Sequence, residues 1–105
     1  MNKTFSERVV HAALSIPSGR VATYGDIARV CGAGGQAARS ISGILSRAYQ
    51  KGTTGIPWHR IVYSNGKVWT SDTVDNERRS LYRKEGIIVN QKGYIENFNF
   101  IRYQF

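Results

Sequence analysis

Acidic residues, cysteine and proline are all scarce in this 105-residue chain, and each shortage narrows what it can be. Seven Asp and Glu face fifteen Lys and Arg, leaving a formal charge of +8. That balance favours a polyanionic partner, because side-chain cations that neutralise phosphates release the counterions condensed on them. The plainer reading of the same charge is solubility alone. A single cysteine, Cys31, excludes an internal disulfide, and no Cys/His cluster has the spacing of a structural zinc site. No stretch approaches the ~20 apolar residues of a membrane span, and the opening MNKTFSERVV lacks the apolar centre of a secretory signal. No run of consecutive Lys or Arg resembles a disordered basic tail, so a binding surface has to be assembled by the fold. Together these shortages predict a soluble cytoplasmic chain without metal or other cofactor, folded as a single domain over residues 1–105.

What is present is enough for one core: 41% of the residues are hydrophobic, with six tyrosines, four phenylalanines and two tryptophans. Phe5, Val9, Ala12, Ala13 and Ile16 recur at helical spacing and predict an amphipathic helix over residues 4–15, ended by Pro17 and Gly19. In TYGD, Thr23 and Asp26 have the spacing of a capping box that opens a second helix running through Cys31, with Gly32 as its C-cap. A third helix starts near Gln36 and buries Ala37, Ile41, Ile44, Leu45 and Ala48. Its other side sets Arg39 among Ala38, Ser42, Gly43 and Ser46. Two helices joined by Gly32-Ala33-Gly34-Gly35 make a helix-turn-helix candidate. A small-residue face of this kind suits either close approach to DNA or packing on a neighbouring helix.

From Arg60 the pattern turns to β. RIVYSNGKVW reads as a hairpin around Ser64-Asn65-Gly66. A last helix is expected from about Asp72 to Glu85, with Val74, Leu81 and Tyr82 inward and Gly86 closing it. Ile87-Ile88-Val89 reads as a strand, and the aromatic tail around Phe98, Phe100, Tyr103 and Phe105 as a strand or a covering segment. The predicted fold is mainly α with a small β-hairpin, a winged helix-turn-helix-like single domain.

Three side chains combine the chemistry of base flipping: the hydroxylated ring of Tyr24, the cation of Arg39 and the indole of Trp58. Taken singly, each reads more readily as an ordinary core or surface residue. His59 and Glu85 could activate a nucleophile, but Trp58, beside His59, supplies none, and Ser64, Thr70 and Ser71 lie in no nucleophile-elbow context. Cys31, in the last turn of an amphipathic helix, reads as a buried, inert thiol.

The segments IPSGRVATYGDIA (16–28), ARSISGIL (38–45), IPWHRIVYSNGKV (56–68) and LYRKEGI (81–87) resemble, in order and spacing, the DNA-binding domain of the 6-O-alkylguanine-DNA alkyltransferase family. In repair-active members the third segment reads Pro-Cys-His-Arg, and its cysteine takes the alkyl group irreversibly. Trp58 stands in that place here, so the resemblance is to the alkyltransferase-like branch, which recognises the lesion without removing it. It implies no catalytic residue. Tyr24 matches the tyrosine that presses on the 3′ phosphate, and Arg39, flanked by Ala38, Ser40 and Ser42, the arginine that enters the stack through the minor groove. Tyr24, Pro57, Trp58, His59 and Arg60 would line the lesion pocket, with Glu85 supporting His59.

The implied function is non-enzymatic recognition of 6-O-alkylguanine in double-stranded DNA by minor-groove docking and base flipping, with hand-over to nucleotide excision repair proteins by a monomer. The departures from the family pattern are the Asn-Pro pair replaced by AYQKGTTG (48–55), and Ser71 near the place of an arginine that contacts the alkylated base in some relatives. Two other readings of the residues stay open: an enzyme using Cys31 or His59, and a general architectural or regulatory DNA-binding module with no lesion pocket.

Overall fold

A computed structural model describes residues 4–68 and 75–105. Helix α1 (Phe5–Leu14) begins at a capping box in which Thr4 accepts from the Glu7 N–H and Glu7 accepts from the Thr4 N–H. Strand β1 (Ala22–Thr23) runs directly into α2 (Tyr24–Val30) through the Thr23/Asp26 capping box. Helix α2 ends in a Schellman motif. Gly32, at φ +88°, donates to Arg29 O and Ala33 donates to Ala28 O, a geometry in which an L side chain would be strained. A 3-10 turn at Gly35–Ala37 then leads into α3 (Ala38–Gln50), which buries Ile41, Ile44 and Leu45.

The chain is mostly helical, with a small two-stranded sheet. That sheet pairs β1 in parallel with β2 (Ile61–Val62), in register Ala22 with Ile61 and Thr23 with Val62. The hairpin expected over residues 60–69 forms its turn but not its ladder. Tyr63 N–H donates to Lys67 O, Gly66 takes φ +84° and Asn65 Oδ1 accepts from the Lys67 N–H. Beyond that single rung the two arms diverge: Ile61 and Val62 pair with β1, whereas Gly66 and Val68 exchange hydrogen bonds with Ile95 and Gly93. The far end of the expected hairpin, at Trp69, lies outside the described residues.

The last long helix, α4, is described as Asp75–Glu85, so the expected start near Asp72 and the inward Val74 fall outside the described residues. Tyr82 is buried, but Leu81 is exposed, against expectation. The helix packs on the turn at Trp58–Arg60 through Arg78, Tyr82 and Glu85, spaced four and three residues apart, and Tyr82 also enters an aliphatic cluster. Beyond Gly86 the expected strand at 87–89 is reduced to a bridge between Val89 and Ile95. The tail then forms the short helix α5 (Phe98–Ile101) and lies along β1, where Val21 N–H donates to Ile101 O and Tyr103 N–H donates to Val21 O.

The sheet divides the core. Ala22 and Ile61 face a cluster built from α1, α2 and α3, while Val21 and Val62 face a second one with Val68, Tyr82, Ile87 and Ile95. Alternation along two-residue strands thus sends neighbouring side chains into different cores.

Candidate nucleic-acid interface

A concavity of about 810 Å³ opens where the first turn of α2 meets the outer face of α3 and the Trp58 turn. Tyr24 enters it because the capping box ends the extended strand at Thr23 and makes Tyr24 the first residue of α2. Ala38, Arg39, Ser42 and Ser46 form the α3 wall. The short side chains of Ala38, Ser42 and Ser46 keep that wall low around the long, exposed Arg39. Trp58 is half-buried, packing one side on the main core while bordering the cleft.

Trp58 is held by a tight piece of backbone. Pro57 (φ −83°, ψ 70°) is the centre of an inverse γ-turn in which Trp58 N–H donates to Ile56 O at 2.9 Å, and Arg60 N–H donates to Pro57 O. The buried Pro57 fixes φ and has no N–H to satisfy. The next two side chains are drawn to Glu85. His59 Nε2 lies 2.6 Å from Glu85 Oε2, and Arg60 donates to both carboxylate oxygens at 2.7–3.1 Å and to Ile16 O at 3.0 Å. The Gly19 N–H completes the set at 3.0 Å. Burial, the largest single influence on Glu85, favours the protonated acid. The hydrogen bonds from Arg60, Gly19 and His59 together outweigh it and hold the carboxyl at about 2.

Tyr24 and Tyr63 stand with ring centroids 6.0 Å apart. Burial first, then Tyr63, pushes the Tyr24 hydroxyl above its ordinary pKa against the opposing charge of Arg78, so it is a protonated donor at neutral pH. Asp26, two residues on, binds Arg102 in a two-pronged ion pair (Nε to Oδ2 2.8 Å, Nη2 to Oδ1 2.7 Å) and accepts from Arg29 at 2.8 Å. Burial raises its pKa, but Arg102, the Thr23 N–H and Arg29 prevail and bring it to about 2.

Of the residues singled out from sequence, Tyr24, Ala38, Arg39, Ser42 and Trp58 meet on this one cleft. Ser40 is exposed on α3 but does not line it. Pro57, His59, Arg60 and Glu85 lie beside it, in the turn and its ion-pair network. Cys31 is buried at the end of α2, its thiol pushed up by burial, and has no place in the cleft wall. Sequence reasoning missed Arg29, Tyr63, Arg78 and Arg102, all of which border the cleft. Arg29 could have been found, since it lies one turn from Asp26 on α2; Arg102 gave no local signal. Among the described residues, no cluster of three or more His, Cys, Asp or Glu could hold a metal ion, and no helix is long and apolar enough to cross a membrane.

Comparison with known proteins agrees with this architecture. The structure superposes on that of Schizosaccharomyces pombe Atl1 in complex with damaged DNA containing O6-carboxymethylguanine, with a TM-score of 0.72 and 28% identity over 99% of both chains. In sequence the chain is 36% identical over 94 residues to the DNA base-flipping protein of Escherichia coli, covering 89% of this chain and 70% of that one. It is 34% identical over 89 residues to alkyltransferase-like protein 1 of S. pombe, covering 83% and 80%. Residues 4–87 match the sequence model described as 6-O-methylguanine DNA methyltransferase, DNA binding domain, and the chain belongs to that family.

Proposed function

We propose that this protein is a non-enzymatic DNA-damage recognition protein that docks on the minor groove, flips 6-O-alkylguanine into the cleft beside Trp58 and directs the lesion to nucleotide excision repair. The observation that carries the reading is the composition of the cleft. Tyr24, Arg39 and Trp58 converge there without a thiol. In this reading Tyr24 displaces the nucleotide, Arg39 fills the vacated place in the stack and Trp58 supplies an aromatic wall for the purine. The His59–Glu85–Arg60 network then fixes the turn that presents Trp58, with no proton to transfer. The names of the relatives, a base-flipping protein and an alkyltransferase-like protein crystallised with damaged DNA, support the same assignment.

Selectivity follows from a difference of two costs. Extruding a paired guanine costs a few kcal/mol, and less where alkylation has weakened the pair. Each methylene of the alkyl group gains ~0.8 kcal/mol on burial, so the cleft should discriminate only modestly among alkyl groups of similar size.

The test is equilibrium binding to two duplexes differing only in guanine against 6-O-methylguanine, at several salt concentrations. Preference for the lesion at every salt is expected, with sharply weakened lesion binding in Tyr24→Ala and Arg39→Ala at unchanged melting temperature. Unchanged affinity in both variants would refute their roles, and equal affinity for the two duplexes would leave only a basic DNA-binding domain. Intact-mass spectrometry after incubation with alkylated DNA should show no covalent adduct.

A further inference from the structure

We infer that Arg29 and Arg102, held side by side on the Asp26 carboxylate, form a binding site for a backbone phosphate of duplex DNA at the rim of the cleft. The inference rests on the cleft being a duplex-binding surface, but not on lesion recognition. Asp26 accepts four hydrogen bonds: Oδ1 from Arg29 Nη2 and Arg102 Nη2, Oδ2 from Arg102 Nε and the Thr23 N–H. That fills the capacity of a carboxylate. It leaves two guanidinium groups on one carboxylate, a net positive charge, and among the described residues Arg29 Nε and Nη1 and Arg102 Nη1 have no protein acceptor. Both arginines border the main cleft and also a shallower concavity of about 420 Å³ on its far side, so the pair forms the ridge between them.

The arrangement is fixed before any ligand arrives. Arg29 folds back over the first turn of α2, where a Cβ on Gly25 would come within 3.2 Å of its Nη1. Arg102 is fixed by the backbone on either side of it, Ile101 and Tyr103 being bonded to Val21. Asp26, at about 2, stays ionised throughout the neutral range and keeps the two cations aligned. Guanidinium groups already ordered by a carboxylate lose less freedom on capturing an anion. A tetrahedral phosphodiester can accept from two such groups at once. Arg102 lies beyond residues 4–87, the span that matches the family's sequence model.

The experiment measures affinity against salt concentration for the full chain and its Arg29→Gln, Arg102→Gln and Arg102→Lys variants, on the guanine and 6-O-methylguanine duplexes. Each Gln variant is expected to bind both duplexes several-fold more weakly and to reduce the magnitude of the slope of log K on log salt by about 1, whereas Arg102→Lys keeps the slope. Arg29→Gln, at an exposed helix position, leaves the Asp26–Arg102 pair in place and keeps the test valid if Arg102→Gln does not fold. Unchanged slopes would overturn the inference and leave Arg102 a clamp for the tail. A loss confined to the alkylated duplex would also overturn it, because a phosphate contact does not sense the base. Equal affinity of the parent protein for the two duplexes would refute lesion recognition while leaving the phosphate site standing.

Discussion

Glu85 ends α4, where the helix dipole disfavours a negative charge, and only its partners make the position tenable. Replacing it by glutamine keeps the shape and removes the charge, leaving Arg60 without its counter-ion and His59 without its carboxylate partner. A loss of roughly 3–5 kcal/mol is expected, as for a buried pair broken on one side, measurable by urea unfolding at neutral pH. Trp58 makes the opposite case. Its indole borders the cleft and its carbonyl oxygen accepts from Arg78 Nη1 at 3.4 Å, a bond that any residue at 58 could keep. Trp58→Ala should therefore remove the preference for 6-O-methylguanine while leaving affinity for unmodified duplex, read by competition binding. Retained preference would move the lesion pocket away from Trp58.

At the level of elements, two glycines in the same left-handed conformation separate backbone strain from crowding. A Cβ at Gly32 (φ +88°) meets nothing within 4 Å, whereas one at Gly66 (φ +84°) would lie 3.0 Å from Phe98 Cγ. Gly32→Ala should cost about 1–2 kcal/mol of backbone strain. Gly66→Ala should cost more, roughly 2–4 kcal/mol, because the α5 ring has to move as well. The same pair shows what was legible in the sequence. Gly32, the Thr23/Asp26 box and the buried stripe of α3 act within a turn or two of chain and leave periodic or capping signals. The Ser64-Asn65-Gly66 turn was equally local. The destination of its arms was not, because the strands are two residues long and pair with segments far away in sequence, Ala22–Thr23 and 93–95. Tyr24, Arg39 and Trp58 stood out by their chemistry. Arg102, separated by 76 residues from the carboxylate it binds, could be placed only by the fold.

For the molecule as a whole, Asp26 and Glu85 each tie distant segments together through an ion pair, and both are held near 2, from ordinary values of 3.8 and 4.5. A carboxyl whose pKa is depressed by folding stabilises the native state above its unfolded pKa, and that contribution is lost as pH falls through the folded value. Stability should therefore be level from neutrality to about pH 5 and decline steeply between about pH 4.5 and 2. Urea midpoints across that range provide the measurement. Glu85→Gln should begin lower and decline less, and an equally steep decline in that variant would assign the acid sensitivity elsewhere.

The tail's bond to β1 also bears on the order in which the protein assembles. Val21 lies between two neighbours, with residues 22 and 23 joined to 61 and 62 on one side and residue 21 joined to 101 and 103 on the other. Contacts of such long range close late, after helices that need only local chain. While the protein is being synthesised, α1, α2 and α3 can gather as soon as residue 50 is available, but Asp26 has no Arg102 to hold until residue 102 has emerged. The surface proposed to grip DNA is thus completed last, so a nascent chain stalled short of that point would carry most of the helical core but only part of its hold on the duplex.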